Sequence, residues 1–305
     1  NKTEGNKNNI AGASNKTKGD ENKILGSFNN TTGNNNAIGG ASQTTTGNNN
    51  TIGGASNKTV GNSNNVLGTL QDTEGDNNTI AGTLQKTIGN NNKVGGASNE
   101  TVGNSNNILG TLQKTEGDNN TVAGTLQKTI GNNNKIREFV TIHRGTTDKY
   151  ETRVGNNTLV MAYVHIAHDC IIGDNCVLAN AATFAGHVEV EDYAVVGGLT
   201  AVHQFTRVGR HAMIGGCSAV NQDVVPYMLS EGNKARAVYI NIVGLQRRGF
   251  SEEQIKRLRE LYKIIFKKKL KLEKALQTVE RDYGQYEEAQ NLINFIRKSK
   301  RGITR

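Results

Sequence analysis

The sequence predicts an all-β parallel β-solenoid with a C-terminal α-helical domain, on three observations. First, an aliphatic or aromatic residue returns at every sixth position: Ile130, Ile136, Ile142, then, after a missed slot at Asp148, Val154, Val160, Ile166, Ile172, Leu178, Phe184, Val190, Val196, Val202, Val208, Ile214 and Val220. A period of six matches neither a helix nor an alternating strand. It fits hexapeptide coils, in which three short strands make one triangular turn and the sixth-position side chains stack inside. Second, glycine recurs at every fourteenth position from Gly5 through Gly131. Third, helical spacing of apolar residues begins only after the hexapeptide phase ends near Tyr227. Together these divide the chain into a 14-residue-repeat β-roll over 1–130, a hexapeptide solenoid over 131–226 and a helical domain over 227–305.

The 14-residue unit reads approximately G-[ND]-x-N-x-[VI]-x-G-[ATS]-x-[NQ]-x-T-x. Asn64 and Val66 lie two residues apart and so share one face of a strand, as do Gln71 and Thr73. The economical fold is a two-stranded coil with glycine turns, in which Asn and Thr ladders supplement one aliphatic residue per coil. Residues 61–94 and 103–136 match almost letter for letter at a spacing of 42, which points to recent duplication or deliberate engineering, the latter favoured. At the junction, Ile130-Gly131-Asn132-Asn133-Asn134-Lys135-Ile136 satisfies both repeats at once.

Composition sets the outer bounds. Trp is absent and Pro occurs once in 305 residues, so a large globular core is not expected, and a solenoid needs less of one. Cys170, Cys176 and Cys217 lack CxxC spacing and are expected as buried reduced thiols, consistent with a cytoplasmic location. No apolar run approaches transmembrane length, and no signal-peptide pattern is present. In the last segment, Ser251-Glu252-Glu253-Gln254 is a capping box, followed by Ile255, Leu258, Tyr262, Ile265 and Phe266 at helical spacing. Leu272, Leu276 and Val279, then Leu292, Ile293 and Ile296, indicate two more helices. Residues 245–305 hold 17 Lys and Arg against 8 Asp and Glu, a net of +9, without the aromatic interleaving of a nucleic-acid surface.

Chemistry is expected only in the hexapeptide part, because all six histidines lie between 143 and 211. Positions at a spacing of 18 stack on successive coils, which sets His168 below Gly186 and Gln204, Asp169 below His187, and Ala185 below His203. A lone corner histidine is ordinarily satisfied by backbone. Here His168, Asp169, His187, His203 and Gln204 converge beside Gly186, whose lack of a side chain leaves room for a substrate. Zinc would need three or four ligands around one point, and beyond His165 and His168 no ligand pattern emerges, so neither metal nor cofactor is expected. A neutral imidazole beside a carboxylate suits a general base.

Two resemblances follow from these residues. The 14-residue units are similar to the β-roll of grass ice-binding (antifreeze) proteins, which implies ice as a ligand for 1–130. Against it, the slot before the aliphatic residue runs Asn9, Lys23, Ala37, Thr51, Asn65, Thr79, Lys93, Asn107, Thr121, and the other outer face carries Lys58, Asp72, Lys86, Glu100, Lys114 and Lys128. A structural spacer is the other reading. The runs IREFVTIHRGT (136–146), HIAHDC (165–170), AGHV (185–188), GLTAVHQF (198–205), GGCS (215–218) and GLQRRGF (244–250) resemble the UDP-N-acetylglucosamine acyltransferase family of lipid A biosynthesis. That resemblance implies a homotrimer of left-handed parallel β-helices with the site between subunits. It implies His168 as general base toward the sugar 3-hydroxyl, which attacks an acyl thioester on acyl carrier protein. Asp169 would hold the base and sugar, and the Gly186 amide would stabilise the oxyanion. His165, His187, His203 and Gln204 match the nucleotide-sugar and acyl groove, and Asn241, Arg247 and Arg248 the nucleotide end. Gly216 matches the position that limits acyl length and implies a long hydroxyacyl chain. The sequence departs at Val243, where many members have Glu, and in the upstream coils, which in the family supply a Lys and an Asp to the neighbouring pocket. An active acyltransferase, an ice-binding protein and a structural scaffold all remain open at this point.

Overall fold

A computed structural model describes residues 1–125, 128–143, 145–147 and 151–305, with side chains omitted over 124–130. Arg144, Asp148 and the side chains of Lys128 and Ile130 therefore lie outside the described residues. The chain forms two compact units, 1–134 and 135–305.

In the first unit each 14-residue repeat contributes two short strands, and from Lys23–Ser27 on these have five and three residues, as in Asn65–Thr69 and Asp72–Glu74. Each strand pairs in parallel with its equivalent one coil on, Val66 with Ile80 and Thr73 with Thr87. The two sheets close over a column of buried Ile and Val, from Ile24 to Val122. The column is thin, so polar ladders complete the core. Asn78 Nδ2 donates to Asn64 Oδ1 at 3.1 Å and to the Gly89 carbonyl at 2.8 Å, while its own N–H donates to Asn64 Oδ1 at 2.9 Å. Such an Asn is satisfied by the coils on either side of it, which ties each coil to its neighbours. The inward threonines differ: hydroxyls such as Thr59, Thr73 and Thr87 have no hydrogen-bond partner among the described residues. Glycine is required at the turns, where Gly75 has φ +120° and a Cβ would collide with the Gly89 carbonyl oxygen.

The outer faces follow the strand alternation. On the three-residue strands Lys58, Asp72, Lys86, Glu100 and Lys114 stack as a charge ladder, with ion pairs of 3.5 Å for Lys58–Asp72, 3.3 Å for Lys86–Glu100 and 3.7 Å for Lys114–Glu100. The charges expected to interrupt this face thus partner one another along it.

The second unit is a parallel β-solenoid. Its sixth-position residues from Ile136 to Val220 are buried at 3% exposure or less. The positions two residues before these are also buried and mostly small, as at Thr152, Thr158, Cys170, Cys176, Ala182, Ala194, Thr200, Thr206, Ala212 and Ser218, with Val140, Val164 and Val188 the larger members. The coil spacing is 18 from Arg153 onward, where Arg153 pairs with Ile171, but Ile136 pairs with Val160 and Ile142 with Ile166, a spacing of 24. The first coil therefore carries a six-residue insertion between Ile142 and Arg153. Cys170 and Cys176 are buried, whereas Cys217, expected buried, is exposed. It occupies a left-handed corner, φ 58°, three residues past the inward Ile214, where side chains leave the core.

Beyond the last coil, the expectation that helix begins near Tyr227 is corrected. Met228–Glu231 and Arg236–Ile240 form an antiparallel hairpin, and Met213 pairs with Leu229, so the hairpin continues one solenoid sheet. Four α-helices follow: α1 (Ile242–Arg247), α2 (Glu252–Tyr262), which runs on into a π-helical turn (Lys263–Lys267), α3 (Leu272–Tyr283) and α4 (Glu287–Arg297). The capping box at Ser251 is formed, with Ser251 Oγ accepting from Gln254 N–H and Gln254 Oε1 from Ser251 N–H. Leu245, Ile255, Leu258, Tyr262, Leu276, Val279 and Leu292 close a core with Val225, Met228 and Ile240 of the hairpin end. Among the described residues no helix is long and apolar enough to cross a membrane.

Candidate active site

The site is built on one edge of the hexapeptide solenoid. Each coil turns through a residue with φ near +60°, and at one corner these are Asp169, His187 and Phe205, at a constant spacing of 18. His187 stacks on Phe205 with ring centroids 4.6 Å apart, and His168 meets the edge of His187 at 5.2 Å. Phe205 is a contributor that reading for polar residues missed, although its spacing of 18 from His187 was there to be used.

Asp169 is fully buried and is the best-held group in the cluster. Its carboxylate accepts from Thr146 N–H at 2.8 Å, Thr146 Oγ1–H at 2.6 Å and His168 Nδ1–H at 2.8 Å, and its own N–H donates to Thr152 Oγ1 at 2.8 Å. Burial alone would push the carboxyl pKa up. The hydrogen bonds from Thr146 and His168, with the charge of His187, outweigh it and hold Asp169 well below the usual carboxylate range. An ionised carboxylate only accepts, so it fixes the proton on His168 Nδ1 and leaves Nε2 with a free lone pair. Thr146 lies in the six-residue insertion, where repeat arithmetic has no purchase.

Nε2 faces Gly186. A Cβ at that residue would lie 2.7 Å from Nε2 and 2.6 Å from Cε1, so only glycine leaves the imidazole this room. The Gly186 carbonyl accepts from Phe205 N–H at 3.1 Å, while the Gly186 N–H has no partner among the described residues. A base and an unused amide donor thus stand side by side at a surface where the His168 side chain is 41% exposed. The chemistry this arrangement supports is proton removal from a hydroxyl, with a donor for charge that develops on the group it attacks.

The other expected residues distribute as follows. His165 stands on the strand that leads into the His168 corner, its Nδ1 2.7 Å from Thr141 Oγ1 and its ring edge-on to His143 at 4.7 Å; burial and then His143 lower its pKa. His203 and Gln204 are exposed on the coil beyond Gly186, with His203 Nδ1 3.1 Å from the Gln204 carbonyl. Asn241 caps α1, accepting from Gly244 N–H at 3.2 Å and donating to the His211 carbonyl at 2.9 Å. Its side chain is therefore largely committed to the fold. Arg247 and Arg248 are exposed, and Arg248 lies over the Tyr193 ring at 4.8 Å. Gly216 is exposed, where a Cβ would meet the Gly198 carbonyl at 3.2 Å.

Three members of the cluster that the spacing of 18 gathers also make a metal-like grouping: one ligand atom each of His168, Asp169 and His187 lie within 4.8 Å of one another. The donor set does not fit a closed metal centre. The Asp169 carboxylate already accepts three hydrogen bonds, and His187 Nε2 is 3.8 Å from Asp169 Oδ2, the geometry of a hydrogen-bonded dyad rather than of tetrahedral zinc.

Comparison with known proteins bears on this edge of the molecule. Residues 223–304 match the family model for UDP-N-acetylglucosamine O-acyltransferase, domain 2, and residues 151–186 match that for bacterial transferase hexapeptide repeats. The chain is 47% identical over 175 residues to the acyl-[acyl-carrier-protein]–UDP-N-acetylglucosamine O-acyltransferase of Herminiimonas arsenicoxydans, covering 56% of this chain and 67% of that one. The corresponding protein of Janthinobacterium sp. (strain Marseille) is 49% identical over 177 residues with the same coverage. Among solved structures, the UDP-N-acetylglucosamine acyltransferase of Francisella novicida superposes with a TM-score of 0.57 at 31% identity, covering 88% of this chain and 90% of that one. That of Campylobacter jejuni gives 0.54 at 30% identity and covers 97% of both. Sequence similarity to the curated relatives thus spans little more than half of the chain, while structural similarity extends over nearly all of it.

Proposed function

The chain belongs to the UDP-N-acetylglucosamine O-acyltransferase family, and from that premise we propose that its hexapeptide part retains the centre for acyl transfer from acyl carrier protein to the 3-hydroxyl of UDP-N-acetylglucosamine, in lipid A biosynthesis in the cytoplasm. The observation that carries this is the His168–Asp169 pair with Nε2 directed at Gly186. In the proposed step His168 Nε2 takes the proton of the 3-hydroxyl as its oxygen attacks the thioester carbonyl. The Gly186 N–H receives the oxyanion. Collapse expels the carrier thiolate, which takes the proton back from the imidazolium, so the base is regenerated. His187, His203 and Gln204 would line the groove, Arg247 and Arg248 the nucleotide end, and Gly216 a long acyl channel. The assembly is a homotrimer, as the family resemblance implies.

We further read the chain as a chimera in which the β-roll over 1–130 is a scaffold of separate origin. Its support is the near-identity of units at a spacing of 42. Because 14-residue coils stand where the family's upstream coils supply a Lys and an Asp, turnover is expected far below that of a complete relative. Ice binding is the weaker reading for the roll, since Lys23 and Lys93 interrupt one outer row and the charge ladder covers the other face. One assay addresses the main reading: UDP-N-acetylglucosamine and hydroxyacyl carrier protein with parent and His168→Ala. Loss of about 10²- to 10⁴-fold on removing the base supports it. Turnover that survives the substitution refutes the assigned base, and family-level turnover in the parent refutes impairment. Light scattering that gave the 32.9 kDa mass of one chain would exclude the trimer.

A further inference from the structure

The five-residue-strand face of the β-roll carries a pattern that neither its fold nor acyl transfer explains. Leu25, Leu67 and Leu109 project from it at 68%, 49% and 64% exposure, one every third coil. Each has an exposed apolar residue three positions on, at the corner: Phe28, Leu70 and Leu112. Between these ridges the same outward position holds Gly39 and Gly53, then Ala81 and Gly95. A groove of about 550 Å³ lies between Leu25 and Leu67 over the two glycines. Leu67 and Leu109 lean over Gly53 and Gly95 of the preceding coil, yet about half or more of each side chain stays exposed and gains nothing for the single chain. Ridges and hollows of equal period on one flat face are self-complementary, as an isologous contact requires.

We propose that this face is a self-association surface on which a second copy of the chain docks face to face and antiparallel, with the two-fold axis between the coils of Val66 and Ile80. This register satisfies steric fit and charge and pairs all eight coils, whereas an axis on the Ile80 coil, which also sets Leu67 on Gly95 and Leu109 on Gly53, pairs only seven and leaves Leu25 outside. With the axis there, Leu67 opposes Ala81 of the second copy and Leu109 opposes Gly39, so each ridge enters a hollow. Moving the axis onto the Val66 coil would set Leu67 on Leu67 and Leu25 on Leu109. Moving it one half-step further, between the coils of Ile52 and Val66, would restore ridges to hollows but set Lys23 against Lys93. In the proposed register both lysines face threonines, Lys23 opposite Thr121 and Lys93 opposite Thr51, and Leu70 meets Leu84 near the axis. Eight coils carry five-residue strands. At about 4.8 Å per coil and 3.4 Å per residue they cover roughly 650 Å² per copy, about 1,300 Å² for the pair, within the range of a specific interface.

The test compares the full chain with the Leu67→Asp/Leu70→Asp variant by sedimentation equilibrium. Both sites are exposed, and circular dichroism melting checks that the variant folds. The parent should show a weight-average mass at least about twice that of the variant, since one isologous contact joins two particles. That ratio holds whatever assembly the acyltransferase part forms, so its failure is distinct from failure of the trimer. Equal masses overturn the proposal. So does faceting of ice crystals that is lost in the variant while mass is unchanged, which would give the face to ice. The register is tested by Thr51→Glu, which sets a carboxylate opposite Lys93 of the second copy and should tighten association about 2- to 5-fold at low salt. Unchanged or weaker association overturns the antiparallel register.

Discussion

Gly186→Ala tests the site by adding one methyl group. The new Cβ would lie 2.6 Å from His168 Cε1 and 2.7 Å from Nε2, where carbon contacts ordinarily settle near 3.5 Å. The ring must therefore move by about 0.8–1 Å. Asp169 cannot follow, because Thr146 holds its carboxylate and Thr152 its amide. The 2.8 Å bond from Nδ1 to Asp169 is then lost, and with it the tautomer that leaves Nε2 basic. A displacement of this size from productive geometry costs about 10²-fold in rate. Stability should change by less than about 1 kcal/mol, since the half-exposed ring can swing outward and overpacking costs its usual 1–3 kcal/mol only where nothing can give. The assay is acyl transfer in parallel with thermal melting, with proton NMR following the downfield Nδ1–H resonance of His168. Loss of that resonance with a melting point near the parent's is expected, and adding His168→Ala to Gly186→Ala should cost little more. A Gly186→Ala protein that keeps the resonance and turns over within about threefold of the parent would refute the reasoning, because a tenfold rate change is only about 1.4 kcal/mol.

Three further outcomes are expected. Burial, then Arg210 and Arg248, push the pKa of His211 down to about 4, with Asp192 opposing, so the folded state favours the neutral ring. The stability this gives is complete above the unfolded pKa near 6.5 and is lost as pH falls toward 4; the full shift would be worth about 3 kcal/mol, reduced to roughly 1 for a half-exposed ring, and His211→Phe, which keeps the stack between Tyr193 and Tyr227, should flatten melting temperature over that window. Thr73→Val removes a buried hydroxyl without a partner and should raise stability by about 1 kcal/mol in denaturant titration, whereas a fall would reveal a bond the hydroxyl makes. Thr146→Val leaves Asp169 two of its three donors and should lower acyl transfer roughly tenfold with melting unchanged, so a parental rate would remove Thr146 from the site.

Sequence by itself determined the parts of this protein that depend on repetition. A solenoid stacks like on like, so the periods of six and 14 translate directly into the Ile136-to-Val220 column, the Asn64–Asn78 ladder and the pairing of Val66 with Ile80. The same arithmetic set His168 against Gly186 and Asp169 below His187. Only the tertiary structure decided what breaks the period or lies beyond it. The spacing of 24 in the first hexapeptide coil brings Thr146 to Asp169, a contact no repeat encodes because the insertion has no counterpart on other coils. Met228–Glu231 pairs as strand because an open solenoid edge offers unpaired backbone groups, a tertiary demand that overrides local propensity. The exposure of Cys217 is likewise a consequence of which way its corner turns. That direction is set by the left-handed φ of single residues, which a hydrophobic period does not record.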